Sequence, residues 1–396
     1  VNNKFRLPFL FLTAIVLLGC GLITGTLPNP SIVQTPAAAT ATSAATATPN
    51  APTVPVSLAA LDQNLEAIYQ KVSPSVVFIM VAQKPGASSA QTSGNGPTVV
   101  SGSGFVWDAQ GDIVTNNHVV ENADSISVTF LEGAQADAEI VGADPGSDLA
   151  VIRVAVDPSL LKPVTLGNSG AVKVGETAIV IGYPFGLDST MTSGIVSGLS
   201  RLLPISASDG SGLSYSIPDI IQTDAPINPG NSGGVLLNNL GEVIGVPSAN
   251  ISTSGSSAGV GFAIPSSIVK MEIPVLISSG SYPHAYLGIS GVTLTPDLAK
   301  AMGLDPNTRG LLIEEIRSGG PADKAGLRGS TKTVTIQSYQ TMVGGDIITA
   351  ADGKPIADFE DLIRYMFLNK KAGDAMQVTV LREGQTLTVD VTFTPS

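Results

Sequence analysis

Gln222-Thr223-Asp224-Ala225-Pro226-Ile227-Asn228-Pro229-Gly230-Asn231-Ser232-Gly233-Gly234 sets one serine in a turn built almost wholly from glycine, asparagine and proline. A backbone of this kind reverses so tightly that its N–H groups converge beside the hydroxyl. That arrangement holds a developing oxyanion and contributes about 3 kcal/mol per donor. Ser232 is therefore the candidate nucleophile, and Gly230, Asn231 and Ser232 are the candidate oxyanion residues. Gly167-Asn168-Ser169-Gly170 has nearly the same letters, but it lacks the second glycine and the preceding QTDAPINP, so Ser232 outranks Ser169.

A nucleophilic serine needs a base, and the chain has two histidines. His118 follows a strand-like run and a polar turn in Thr115-Asn116-Asn117-His118-Val119-Val120, where a scaffold holds an imidazole at a surface cleft. A lone histidine is most often a surface or satisfied core residue; the serine turn and a suitable acid raise this one. Asp148 begins the apolar run Leu149-Ala150-Val151-Ile152, which would carry its carboxylate inward. Hydrogen-bonding the second nitrogen of His118 would give that acid a reason to stay ionised, with Asp144 its rival. The order His118, Asp148, Ser232 is that of chymotrypsin-type proteases, whereas α/β-hydrolases run Ser, Asp, His.

Around these residues, from Pro74 to about Ile277, short Val- and Ile-rich runs are cut at regular intervals by Gly, Asn, Asp and Pro. This is the pattern of an all-β barrel or sandwich. Beyond Ser279-Gly280 strands alternate with helical patterns over 322–327 and 358–367, predicting a smaller α+β domain. SLAALDQNLEAIYQKV (57–72) spaces Leu58, Leu61, Leu65, Ile68 and Val72 as one helix, with Ser57 as its N-cap.

Composition narrows the function. Lys and Arg number 20 against 32 Asp and Glu, a net charge of −12 that disfavours phosphate backbones, so no nucleic-acid partner is expected. The single cysteine, Cys20, forms no internal disulfide, and two histidines provide no Cys/His cluster, so no metal site is expected. No nucleotide-binding P-loop is present, and no cofactor is expected. Lys4 and Arg6 precede an apolar stretch from Leu7 to about Leu27, an export signal or membrane anchor. Leu17-Leu18-Gly19-Cys20 resembles a bacterial lipobox, which would make Cys20 the lipidated residue; an uncleaved transmembrane helix is the alternative. The uncharged Pro/Ala/Thr/Ser stretch from Pro28 to Pro55 reads as a tether.

TNNHVVENA, SDLAVI and QTDAPINPGNSGG together resemble the HtrA/Deg family of extracytoplasmic serine proteases, from about residue 60 to the C-terminus. The resemblance implies a mainly β architecture: a chymotrypsin-like double β-barrel protease domain followed by an α+β PDZ domain. The chain then divides into 1–27 signal, lipobox or anchor, 28–56 linker, 57–280 protease domain and 281–396 PDZ domain. Tyr286-Leu287-Gly288-Ile289 resembles the PDZ loop that takes a peptide carboxylate, and STKTVTIQSYQTM (330–342) is an insertion relative to compact family members. Val235 stands where the family's GNSGG is commonly followed by proline. Trypsin-like enzymes carry an acid six residues before the serine; here that position is Pro226, so cleavage after Lys or Arg is not expected, and an apolar specificity pocket near Ile227 fits the small aliphatic preference that the resemblance implies. His284, in the linker 281–285, is expected to do nothing chemical. The implied activity is an ATP-independent, membrane-tethered, homotrimeric endopeptidase of the bacterial cell envelope. It would degrade unfolded polypeptides and bind peptide C-termini at the PDZ groove. The alternative is a peptide-binding chaperone or stress sensor whose cleft is held inactive.

Overall fold

The computed structural model describes residues 58–84, 99–186, 188–206, 214–248 and 259–395. The signal or anchor segment with Cys20, the tether and the cap Ser57 lie outside the described residues. The first helix, α1 (Leu58–Val72), buries Ile68 and Val72 and lays Leu65 on the same core, while Leu61 on its other face is 42% exposed. A single turn at Ser73–Ser75 then feeds the first strand.

Six strands close the first barrel in the order β1-β2-β3-β6-β5-β4: β1 (Val76–Gln83), β2 (Val99–Val106), β3 (Asp112–Thr115), β4 (Ala123–Thr129), β5 (Gln135–Asp144) and β6 (Leu149–Val154). A four-residue helix, α2 (Asn117–Val120), lies between β3 and β4. The runs read as strands are β-branched and alternate inward, so Val77, Ile79 and Val81 of β1 meet Ile113, Ile126 and Ile152 in one core. The second barrel runs β10-β11-β12-β9-β8-β7: β7 (Thr177–Gly182), β8 (Thr190–Ser206), β9 (Ser214–Thr223), β10 (Val235–Leu237), β11 (Val243–Pro247) and β12 (Gly261–Pro265). Helix α3 (Ser266–Ser279) follows, packs against β5, β6, β11 and β12, and ends on Gly280, whose φ of 78° lets its N–H cap the Leu276 carbonyl.

The C-terminal part comprises β13 (Ala285–Tyr286), β14 (Ile289–Thr293), α4 (Pro296–Ala301), β15 (Leu311–Ile316), α5 (Pro321–Lys324), β16 (Lys332–Ile336), β17 (Tyr339–Val343), β18 (Ile347–Ala351), β19 (Lys354–Pro355), α6 (Phe359–Asn369), β20 (Ala375–Arg382), β21 (Gln385–Thr392) and β22 (Thr394–Pro395). Its sheet is ordered β14-β15-β18-β20-β21. The helical pattern at 322–327 shortens to the single turn of α5, because the chain turns off at Gly326 with φ 77°. The pattern at 358–367 extends to Asn369, with Asp358 as N-cap accepting from the Asp361 N–H at 2.8 Å. The insertion folds as the β16–β17 hairpin. Asp346, wholly buried, takes a two-pronged grip from Arg382, both contacts 2.7 Å. Helix α6 rests on the second barrel: Arg364 Nε lies 2.9 Å from Asp219 Oδ1, and Phe367 and Leu368 pack into the core shared with the barrels. Among the described residues no helix is long and apolar enough to cross a membrane.

Candidate active site

His118 enters the site from α2, at the end of β3, and Asp148 from the β5–β6 turn, so the first barrel supplies both. His118 Nδ1 lies 2.8 Å from Asp148 Oδ2 and 3.0 Å from Oδ1, and its backbone N–H donates to Oδ1 at 3.0 Å. An ionised carboxylate only accepts, so Nδ1 carries the proton and Nε2 is left with a lone pair, the form a general base needs. The Asp148 side chain is 7% exposed and the imidazole 21%, so the acid is shielded while the base stays reachable. Burial alone would lower the His118 pKa; the Asp148 charge and hydrogen bond, with a smaller push from Glu121, more than offset it and hold the pKa above its ordinary 6.5. Asp148 adopts a left-handed backbone (φ 56°), a region asparagine and aspartate tolerate best, and its carbonyl is fixed by Asn117 N–H at 3.1 Å and Asn116 Nδ2 at 2.9 Å. Ser248 Oγ donates to Asp148 Oδ2 at 3.0 Å. Nothing in the local sequence around Ser248 singles it out, since its contact is made 100 residues away.

The second barrel supplies the serine. Gly233 has φ 82°, and a side chain there would run into the Ser103 carbonyl and the Thr115 hydroxyl, so glycine alone lets the Ser232 turn lie against the segment leading to His118. The Ser232 carbonyl accepts from Ser103 N–H at 2.8 Å, and Gly233 N–H donates to Pro247 O at 3.1 Å, next to the Ser248 that braces Asp148. Gly230 is held the same way: φ is 98°, and Tyr183 O and Phe185 N crowd its missing side chain. The Pro229 carbonyl accepts from Phe185 N–H at 2.9 Å. Because a trans peptide sets C=O and N–H on opposite sides, this bond aims the Gly230 N–H the other way, and it meets no protein acceptor among the described residues. Asn231 does not fit the oxyanion role given to it from sequence. Its N–H donates to Asn228 O at 2.9 Å, and its side chain is buried beside Gly182.

The remaining sequence candidates take varied places. Ser169 is a brace: its Oγ accepts from Ser267 N–H at 3.0 Å at the start of α3. Ile227 is 4% exposed and packs with Val196, Ile221 and Ala263 in the second barrel, against Gly261. Tyr286, Leu287, Gly288 and Ile289 line a cavity of about 560 Å³ together with Leu362 and Met366 of α6. Leu287 itself is buried, its carbonyl taken by Ala322 N–H at 3.0 Å, and the Gly288 carbonyl by Arg317 N–H at 2.9 Å.

His284, expected from the sequence to do nothing chemical, makes a part-buried contact across the chain. Its Nε2 lies 2.6 Å from Asp144 Oδ2, in a pocket with Glu272 of α3. Burial would raise the pKa of Asp144, but the His284 hydrogen bond and charge, with Ser147 and Gly146 donors, hold it below the ordinary carboxylate range. Asp144, the sequence rival of Asp148, thus belongs to a second cluster.

Comparison with known proteins agrees with this geometry. Residues 102–246 match the trypsin-like peptidase domain and 285–393 the PDZ domain. The chain is 40% identical over 333 residues to "Protease Do-like 1, chloroplastic" of Arabidopsis thaliana, covering 83% of this chain and 71% of that one. It is 40% identical over 292 residues to "Periplasmic serine endoprotease DegP" of Salmonella typhimurium, covering 73% of this chain and 56% of that one. Among solved structures, "HtrA-type protease AlgW with tripeptide" superposes with a TM-score of 0.68 at 31% identity, covering 84% of this chain and 97% of that chain. The chain therefore spans little more than half of its bacterial relative DegP.

Proposed function

The chain belongs to the HtrA/Deg family of trypsin-like serine proteases with a PDZ domain, and from that premise we propose that Ser232, His118 and Asp148 are its catalytic triad. Ser232 Oγ attacks the scissile carbonyl and gives its proton to His118 Nε2. Asp148 fixes the imidazole tautomer and stabilises the imidazolium, and Ser248 holds Asp148 in place. The amides of Gly230 and Ser232 take the oxyanion. His118 then returns the proton to the leaving amine, and water repeats the sequence on the acyl-enzyme. The observation that carries this reading is the 2.8 Å carboxylate–imidazole pair beside a glycine-held serine turn.

The substrates proposed are unfolded polypeptides of an extracytoplasmic compartment, a reading supported by relatives named as periplasmic endoproteases. With Pro226 in place of an acid, cleavage follows small aliphatic residues, with Ile227 shaping the pocket. Discrimination by one methylene in such a pocket is about 1–3 kcal/mol, so selectivity is broad. The PDZ cavity at 286–289 binds peptide C-termini, the chain works as a homotrimer, and its N-terminus anchors it through lipidated Cys20 or a helix. Labelling by a fluorophosphonate tests the triad. Wild type is expected to label and to digest an unfolded protein without ATP, and Ser232→Ala to do neither. A wild-type protein that never labels, even with C-terminal peptides added, would favour the chaperone or sensor reading.

A further inference from the structure

Asp144, Glu272 and His284 come from the end of β5, the middle of α3 and the linker before β13, and nothing in the proteolytic mechanism uses them. One ligand atom of each, an imidazole nitrogen and two carboxylate oxygens, lies within 4.8 Å of the others. Glu272 is wholly buried, and neither of its carboxylate oxygens has a hydrogen-bond partner. Ser147, also wholly buried, has an unpartnered hydroxyl as well. Burial, and after it the neighbouring Asp144 charge, push the Glu272 carboxyl up to about 9, and among the described residues no lysine or arginine stands beside it to oppose this. At neutral pH the cluster therefore holds one protonated carboxyl, one carboxylate and one imidazole, and a cation entering it would displace the Glu272 proton.

We propose that Asp144, Glu272 and His284 form a binding site for a divalent first-row transition-metal ion of the zinc type. The donor set favours that class: magnesium and calcium take six or more oxygens, whereas one imidazole with two carboxylates suits a four-coordinate ion. Tetrahedral ligands at about 2.0–2.1 Å from a metal stand about 3.4 Å apart. The 2.6 Å His284–Asp144 contact would therefore open around the ion while Glu272 closes on it. The cavity of about 560 Å³ reaches both Gly146 and His284, which gives the ion a route in and a water for the fourth position. Aromatic rings of Tyr282 and Phe367, each with its centroid 4.9 Å from that of His284, hold the imidazole in place. Asp144 also accepts from Gly146 and Ser147 N–H, so it keeps its place when the histidine bond opens. Such an ion would tie together the turn that carries Asp148, the last helix of the protease part and the entry to the PDZ part.

The test uses the full chain stripped with a chelator, titrated with Zn²⁺ by calorimetry, and checked for bound metal by elemental analysis. Wild type is expected to bind one Zn²⁺ per chain and to gain thermal stability. Glu272→Gln and His284→Gln are expected to bind at least tenfold more weakly, with Ser232 labelling retained in metal-free buffer. Co²⁺ in place of Zn²⁺ should give tetrahedral d–d absorption in wild type that both variants lose while their Ser232 still labels, which separates loss of the site from loss of the fold. No uptake by wild type, or wild-type affinity retained in either variant, overturns the site.

Discussion

Gly230→Ala asks whether the orientation of one peptide plane controls turnover. At φ 98° an L side chain costs about 1–2 kcal/mol, and the new methyl would abut the Tyr183 carbonyl and lie 2.7 Å from Phe185 N and 2.9 Å from Pro184 Cα. All three are backbone atoms that no rotamer change moves aside, so either the 183–186 loop or the 229–230 peptide must shift. Either movement breaks the Phe185 N–H to Pro229 O bond that aims the Gly230 N–H. Losing one oxyanion donor costs about 2.7–4 kcal/mol, or roughly 10²–10³ in kcat. Gly133→Ala is the matched control, because Gly133 has φ 86° but nothing within 4 Å of the added methyl. Each kcal/mol of backbone cost lowers Tm by about 2–4 °C in a domain of 150–250 residues. Both variants should therefore melt a few degrees early, while only Gly230→Ala loses turnover on a chromogenic peptide, with KM near wild type. A folded Gly230→Ala enzyme within threefold of wild-type kcat would refute the reasoning.

Asp148→Asn should lower kcat by about 10⁴, since it leaves the imidazole in the wrong tautomer; steady-state rates within tenfold of wild type would contradict the role. The raised pKa of His118 puts the acid limb of kcat/KM above 6.5, as a pH–rate profile would read. In stability the same shift has the opposite sense: the His118–Asp148 contribution is present in full below the unfolded value of about 6.5 and is lost as pH rises through the higher folded value, which pH-dependent thermal melts would follow. Ser248→Ala removes a donor to a carboxylate, an interaction worth about 1.5–3 kcal/mol, and should cost about tenfold in kcat while moving the acid limb further up; an unchanged pH profile would exclude it as a positioning residue. Arg382→Leu strands Asp346 as a buried charge, at a cost of about 3–5 kcal/mol, and calorimetry should show early melting of the PDZ part while Ser232 still labels.

The barrels and the order of His118, Asp148 and Ser232 were legible because each depends on a local pattern: β-branched runs, an acid at the mouth of an apolar strand, a serine among glycines. What could not be read were contacts made across long sequence distances. Ser248 reaches Asp148 from β11's far end, and no nearby residue announces it. His284 looked inert beside its linker neighbours, because its partner stands 140 residues earlier. Asn231 went astray for a different reason: the letters of a turn say that N–H groups converge, but not which of them the turn spends on itself. Helix ends failed in the ordinary way, with Gly326 cutting short a pattern that apolar spacing alone would have continued.

Closure of both barrels bears on how the molecule resists aggregation. A sheet that joins its last strand to its first has, over its closed part, no row of unpaired amides for a stray chain to extend. Unpaired rims remain, among the described residues, along the arm where residues 201–206 of β8 pair only with β9, and in the C-terminal sheets, with β14 and β21 at the ends of the largest. Under the proposed function, in which the substrates are unfolded chains, the closed barrels would limit edge-to-edge pairing between the protease and what it cuts.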